Sequence, residues 1–247
     1  MSKVSRYREI LPTLDEWDAF LLAESGLPGP RANLELVQAV ADMGDEARFR
    51  RYLAFDASQA PTHTAAEFLP VCGVVGLGRL LAEGHTGVLD TIRACASDPR
   101  WRVREGVCMA LQRLGQVDMD ALLQEMEQWQ YGNLLERRAV VAALCEPALL
   151  HNPAHARRVL QLLDGITASL SVVTDRKSEP FRVLRKGLGY CWSVAAAALP
   201  QEGKRLMERW FASEDKDVRW IMKENLKKKR LARVDADWVA RWQKQLS

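Results

Sequence analysis

The sequence predicts an all-α chain of short helices stacked in antiparallel pairs, and three observations lead there. Apolar residues recur at helical spacing in segment after segment, while no stretch reads as a convincing strand. Short connectors carrying Gly, Pro, Asn or Asp separate those segments, and short helices with one apolar face close a core by stacking in pairs rather than as one four-helix bundle. The segments also resemble one another. Gly115 set over Gly44 places Ala110 and Leu111 over Ala39 and Val40; Val107, Ala110 and Leu111 recur as Val140, Ala143 and Leu144; Val103 and Arg104 recur as Val218 and Arg219.

In chain order, Thr13 and Glu16 have the spacing of a capping box ahead of a helix over 14–25, which the run Gly26 to Pro30 ends. Asn33 opens 34–43, Gly44 stops it, and 46–55 follows. Thr64 starts a long apolar helix that Gly84 closes, with Pro70 expected to kink or split it. Residues 85–97 form a short helix leading into the best-defined element, Asp98 to Gly115. There Asp98 suits the cap, Pro99 the first helical position and Gly115 the terminating turn. Val103, Val107, Ala110, Leu111 and Leu114 make its apolar stripe, opposite Trp101, Glu105, Cys108 and Gln112. Asp118 caps the next helix, Gly132 and Asn133 turn the chain into 134–145, and Pro147 and Asn152-Pro153 break it before 154–170. A polar loop over 173–180 precedes a helix from Phe181 to Leu199. Three more helices follow, over 203–212, from Val218 after Asp217, and from Ala236 after Asp235.

The 247 residues suffice for one domain over 1–247, with a core that needs neither disulfide nor metal. A net charge of +3 and a pI near 8.6 neither require nor exclude nucleic acid. Five scattered cysteines without a CxxC pair read as reduced thiols, and the amino terminus lacks the apolar run of a signal peptide, so a cytoplasmic location is expected. The longest uncharged stretch, Gly187 to Gln201, is too short to span a bilayer, and no membrane partner is expected. His151 and His155 are four apart without an accompanying acid, and Gly73, Gly76 and Gly78 lie inside a helical run, where they argue for close helix packing. No metal or cofactor is expected.

The pattern D-P-x-x-x-V-R followed by A-L-x-x-L-G, at Asp98 to Gly115 and in part at Val218 to Leu226, resembles the second helix of a HEAT repeat. That resemblance implies a right-handed α-α superhelix, a HEAT-like α-solenoid, whose second helices turn their less apolar line toward the concave side. In this chain that line holds Trp101 and Glu105, then Arg138, then Arg182, Lys186 and Ser193 with Tyr190 at its edge, then Trp220, Lys223 and Lys227. Basic and aromatic residues on one face suit DNA, since cations meet phosphates and rings offer stacking. The same line has structural explanations. Arg104 and Arg219 stand where HEAT arginines pair with a helix-start aspartate such as Asp217, wide tryptophans cover seams between repeats, and Lys227 to Arg230 reads as a solvated helix end.

The chain also resembles the bacterial DNA-alkylation-repair glycosylases built from HEAT-like repeats. Their pattern has Trp followed four residues later by a catalytic Asp, matched here by Trp101 and Glu105. An Arg pair before a small residue is matched by Arg137-Arg138-Ala139, and a basic, small-residue and aromatic run by Lys186-Gly187-Leu188-Gly189-Tyr190. Glu stands for Asp, and Tyr for Trp. The resemblance implies that Glu105 would stabilise the cationic sugar left by an alkylated purine, that Trp101 and Tyr190 would hold the lesion, and that Arg138, Arg182 and Lys186 would bind phosphates. The residues leave catalysis open, and a noncatalytic protein-protein scaffold remains the competing class.

Overall fold

The computed structural model describes residues 2–246, and these form an all-α protein with α-helices, short 3₁₀ turns and no strand. The chain divides into two compact units, one ending at Val117 and the other starting at Asp118.

The first unit holds α1 (Lys3–Ile10), α2 (Asp18–Glu24), α3 (Leu34–Met43), α4 (Glu46–Leu53), α5 (Phe68–Ala82), α6 (Leu89–Cys95) and α7 (Trp101–Val117). Helix α5 is its centre: every residue from Phe68 to Gly78 is buried, and α2, α3, α4, α6 and α7 all pack on it. Its glycines allow that. A Cβ at Gly76 would lie 2.3 Å from the Phe49 ring of α4, and one at Gly78 would lie 2.3 Å from the Ala110 Cα of α7. Pro70 does not kink α5, because it falls in the first turn, where a missing N–H costs nothing. Gly84, at φ +95°, ends the following turn as expected.

Several local expectations need correction. Helix α1 is an addition. Thr13 makes no capping box: its hydroxyl donates to the Ile10 carbonyl at 2.7 Å, and α2 starts only at Asp18. Asp98 and Pro99 lie outside α7, which begins at Trp101, and Gly115 does not stop it; buried inside α7, Gly115 is followed by Gln116 and Val117 in the same helix. Of the line opposite the apolar stripe, Trp101 and Glu105 are exposed, Gln112 is half-buried and Cys108 is buried.

The arginines around the start of α7 are structural. Arg100 is buried; its guanidinium takes Asp98 at 2.7 and 2.9 Å and the Phe55 carbonyl at 2.8 Å, tying the 55–60 loop to the helix start. Arg104 donates to the carbonyls of Asp98 and Pro99 at 2.8 and 3.2 Å. Arg102 lies 2.9 Å from Glu67, a carboxylate with no exposed surface that also accepts from the His63 backbone N–H at 3.0 Å.

The second unit holds α8 (Met119–Trp129), α9 (Leu134–Leu144), α10 (Pro153–Ala168), α11 (Glu179–Ala198), α12 (Pro200–Phe211), α13 (Lys216–Leu226), α14 (Lys229–Val234) and α15 (Ala236–Leu246). Helix α11 is the hub, packed by α9, α10, α12, α13 and α14. Its predicted core side, Phe181, Leu184, Leu188, Cys191 and Ala195, is buried. Asn133 and Glu136 form a capping box at α9, and Asp118, Asn152 and Ser178 cap α8, α10 and α11. Asp217 does not cap α13. Asp215 does, while Asp217 is taken by Arg176 at 3.0 Å and approached by Arg185 at 2.9 Å rather than by Arg219. The lysine run is a break between helices rather than one helix end, with Lys227 closing α13 and Lys228 preceding α14.

By length and composition one helical segment, Ala65–Ala82, is apolar enough to cross a membrane, and 78% of it is buried within the fold. All five cysteines are free thiols.

Three outcomes follow for stability. Gly78→Ala forces a Cβ into the α7 backbone and is expected to cost about 1–3 kcal/mol. Gly165→Ala on exposed α10, where the new Cβ meets only Gln130 at 3.4 Å, is expected to gain about 0.5–1 kcal/mol. Denaturant melts of both variants check the contrast. Glu67→Ala strands the buried Arg102 guanidinium and is expected to cost about 3–5 kcal/mol in the same melts.

Candidate nucleic-acid interface

Of the candidate residues, Trp101 and Glu105 belong to the first unit, and Arg138, Arg182, Lys186, Tyr190, Trp220, Lys223 and Lys227 to the second. The buried stripe of α7, held by the close contact at Gly78, turns Trp101 and Glu105 outward one turn apart. Trp101 is 41% exposed. The guanidinium of Arg102 sits 4.4 Å from its ring centroid, and because Arg102 is anchored by Glu67, the indole rests on a fixed cation. This pair offers a carboxylate beside an aromatic surface.

In the second unit, α11 carries Arg182, Lys186 and Tyr190 at intervals of four residues, roughly 6 Å of rise per step, along one outward line. All three are exposed, Tyr190 by 45%. Arg182 and Lys186 form no ion pair among the described residues. Arg138 reaches this helix from α9: it is half-buried, and its Cγ would lie 3.9 Å from a Cβ at Gly187, next to Lys186. Ser193, placed on the outward side by sequence, is buried instead. Its N–H donates to the Asn225 side chain at 2.8 Å, and the Asn225 amide donates to the Leu188 carbonyl, so this position joins α11 to α13.

The residues of α13 are less available. Trp220 is half-buried, with the Arg185 guanidinium 3.8 Å over its ring and Gly189 leaving room for its edge. Lys227 pairs with Glu224, and Lys223 is half-buried. Around Tyr190 the arrangement reverses. Arg230 lies 4.5 Å from its ring centroid and donates to its hydroxyl, and the Lys228 ammonium lies 5.9 Å from the centroid. Sequence reading had missed Lys228 and Arg230 as individual contributors, because in the sequence they merge into one lysine-arginine run. The chain break at Lys227 and Lys228 separates them from α13 and brings them to Tyr190.

Electrostatics elsewhere is structural. Burial would raise the Asp215 carboxyl, but hydrogen bonds from Arg176 and from the backbone N–H groups of α13 outweigh it and hold its pKa below the usual carboxylate value. Burial pushes the Cys72 and Cys145 thiols well up, and burial with nearby Asp98 pushes Cys95 up to about 11. No cluster of three or more His, Cys, Asp or Glu side chains among the described residues is arranged to hold a metal.

Comparison with protein-family models, with curated proteins and with solved structures finds no match. The likeness to HEAT-repeat glycosylases therefore rests on the residues named above.

Two solution outcomes follow. With the thiolate scarce at pH 8, native Cys95 is expected to react with a disulfide reagent about two orders of magnitude more slowly than in denaturant. A fast native phase on Cys95, located by peptide mapping, would contradict the raised pKa of this half-buried thiol. For Asp215, a depressed folded pKa means stability present above the unfolded value and lost as pH falls through the folded one. Asp215→Asn retains a capping oxygen but removes that titration, so its stability is expected to fall less steeply than wild type below about pH 4, as read from melts across pH 2–6.

Proposed function

We propose that this chain is a HEAT-like helical-repeat protein that binds DNA through basic and aromatic helix faces, as its resemblance to alkylation-repair glycosylases implies. The observation that carries the reading is the line Arg182, Lys186 and Tyr190 on α11, with Lys228 and Arg230 set around the Tyr190 ring. Cations already matched to carboxylates contribute little external field. Among the described residues Arg182 and Lys186 are not matched to a carboxylate, so their charge is available to phosphate. Tyr190 supplies a ring on which a base or sugar rests, and its neighbouring guanidinium is placed to bind phosphate alongside.

Catalysis is a narrower form of the same proposal. Glu105 would face the positive charge that develops on the sugar as an alkylated, cationic purine leaves, with Trp101 holding that cation by its π face. The bond broken is the glycosidic C–N bond. Water supplies the new oxygen on the sugar, and Glu105 orients it.

The test is duplex binding across a salt series. Wild type is expected to show a negative slope of log K against log salt, and Arg182→Ala with Lys186→Ala is expected to flatten it by about 2. Duplex binding that is absent or indifferent to salt overturns the DNA reading and leaves the protein-scaffold class. Release of an N-alkylated purine by wild type but not by Glu105→Gln would establish the enzymatic form. Salt-dependent binding with no release by wild type would restrict the protein to DNA binding.

A further inference from the structure

The second unit contains a groove of about 510 Å³ beyond Tyr190, on the far side of Arg230. Its floor is apolar and low: Val194 and Ala198 from the last turns of α11, with Pro147 and Leu150 from the turn after α9. Pro147 and Ala198 are exposed, while Val194 and Leu150 are almost fully buried, which leaves a small open apolar surface on which a flat ring can rest.

The rim is cationic. Arg230 and Arg233 stand one turn apart on α14 and both line the groove, with His151 across from them. No acid lines it. Arg230 is steadied by the Tyr190 ring and hydroxyl, while Arg233 is exposed and forms no ion pair among the described residues. Two guanidinium groups over an apolar floor, with no internal carboxylate, form a site whose charge must be met from outside. Guanidinium forks match phosphate oxygens in geometry as well as charge.

We propose that this groove binds a nucleoside monophosphate unit, its base lying on Val194, Ala198, Pro147 and Leu150 and its phosphate held between Arg230 and Arg233. The volume falls in the range of small-ligand sites, roughly 300–1,000 Å³. The unit is either a free mononucleotide or the phosphorylated terminal nucleotide of a single strand. The groove shares Arg230 with the Tyr190 cluster but includes neither Arg182 nor Lys186, so duplex binding by Arg182→Ala with Lys186→Ala and dAMP binding by Arg233→Ala test the two readings separately.

The experiment is calorimetric titration of the full chain with dAMP, deoxyadenosine and inorganic phosphate. Saturable binding of dAMP is expected, with deoxyadenosine and phosphate each weaker by about tenfold or more, because each keeps half of the contacts. Arg233→Ala, at an exposed position that leaves the core intact, is expected to weaken dAMP by about tenfold. Ala198→Trp fills the floor and is expected to abolish binding. Competition by a 5′-phosphorylated oligothymidylate, but not by its unphosphorylated form, assigns the strand terminus as the source. Competition by neither assigns the free nucleotide. No dAMP binding at millimolar concentration, phosphate binding as tightly as dAMP, or indifference to Arg233→Ala overturns the proposal.

Discussion

In both units a glycine leaves no Cβ between two packed helix backbones, and the surrounding helices are held by such contacts. In the first, Gly78 of α5 meets Ala110 of α7, where an added Cβ would lie 2.3 Å from a backbone carbon, and Gly106 of α7 accepts Val74 of α5. In the second, Gly203 of α12 meets Ala196 of α11 at a corresponding 2.4 Å. Interiors are packed like crystals, so a contact this close fixes the rotation of each helix about its own axis. The functional candidates inherit that rotation. Trp101 and Glu105 face outward because the stripe from Val103 to Leu114 is committed to α5, and Arg182, Lys186 and Tyr190 face outward because Leu184, Leu188 and Cys191 are committed to the core of the second unit.

Charge follows a second constraint. A guanidinium taken out of water must find acceptors for its five donors, and a carboxylate left without a partner is more costly than an apolar residue in its place. Arg100, Arg102 and Arg104 alternate with Trp101 and Val103, a pattern that looks half solvent-facing in sequence. All three are nonetheless buried, because the 55–60 loop, Glu67 and the carbonyls before α7 supply their acceptors. The same rule places Arg176 between Asp215 and Asp217 at the start of α13. These arginines join loops to helices.

Most helices were legible in the sequence, and so were the caps at Asn33 and Asp118, because capping depends on side chains within three residues of one another. Asn133 and Asn152, read only as breaks in the chain, and Asp45, not singled out, also accept from the backbone of the helix they precede. Readings that depended on tertiary context were less accurate. Gly115 looks like a helix stop, but residues beyond it still fit α7, and a buried glycine inside a helix costs only about 1 kcal/mol. Thr13 has the capping-box spacing, yet its hydroxyl closes the preceding 3₁₀ turn instead. Ser193 and Cys108 lie on the less apolar lines of α11 and α7 but are buried, Ser193 because α13 covers that side through Asn225. Among the candidate site residues, the sequence could identify which lie on a helix surface. It could not identify which cations have a carboxylate waiting, since Asp217 is 41 residues from Arg176 and 32 from Arg185 in the chain.

That distinction separates the two aromatic positions of the second unit. Trp220 and Tyr190 both sit under a guanidinium, at 3.8 and 4.5 Å from the ring centroid. Above Trp220 the cation is Arg185, which lies beside Asp217, so the stack is closed in charge and one ring face is covered. Above Tyr190 the cations are Arg230 and Lys228, and neither forms an ion pair among the described residues. A closed stack contributes packing between α11 and α13. An open one keeps an unneutralised field at a ring edge, next to Lys186 and to the groove beyond Arg230, and such a field is lowered only by an anion from outside the chain. Tyr190 is therefore where packing of the second unit ends and an uncompensated positive field begins.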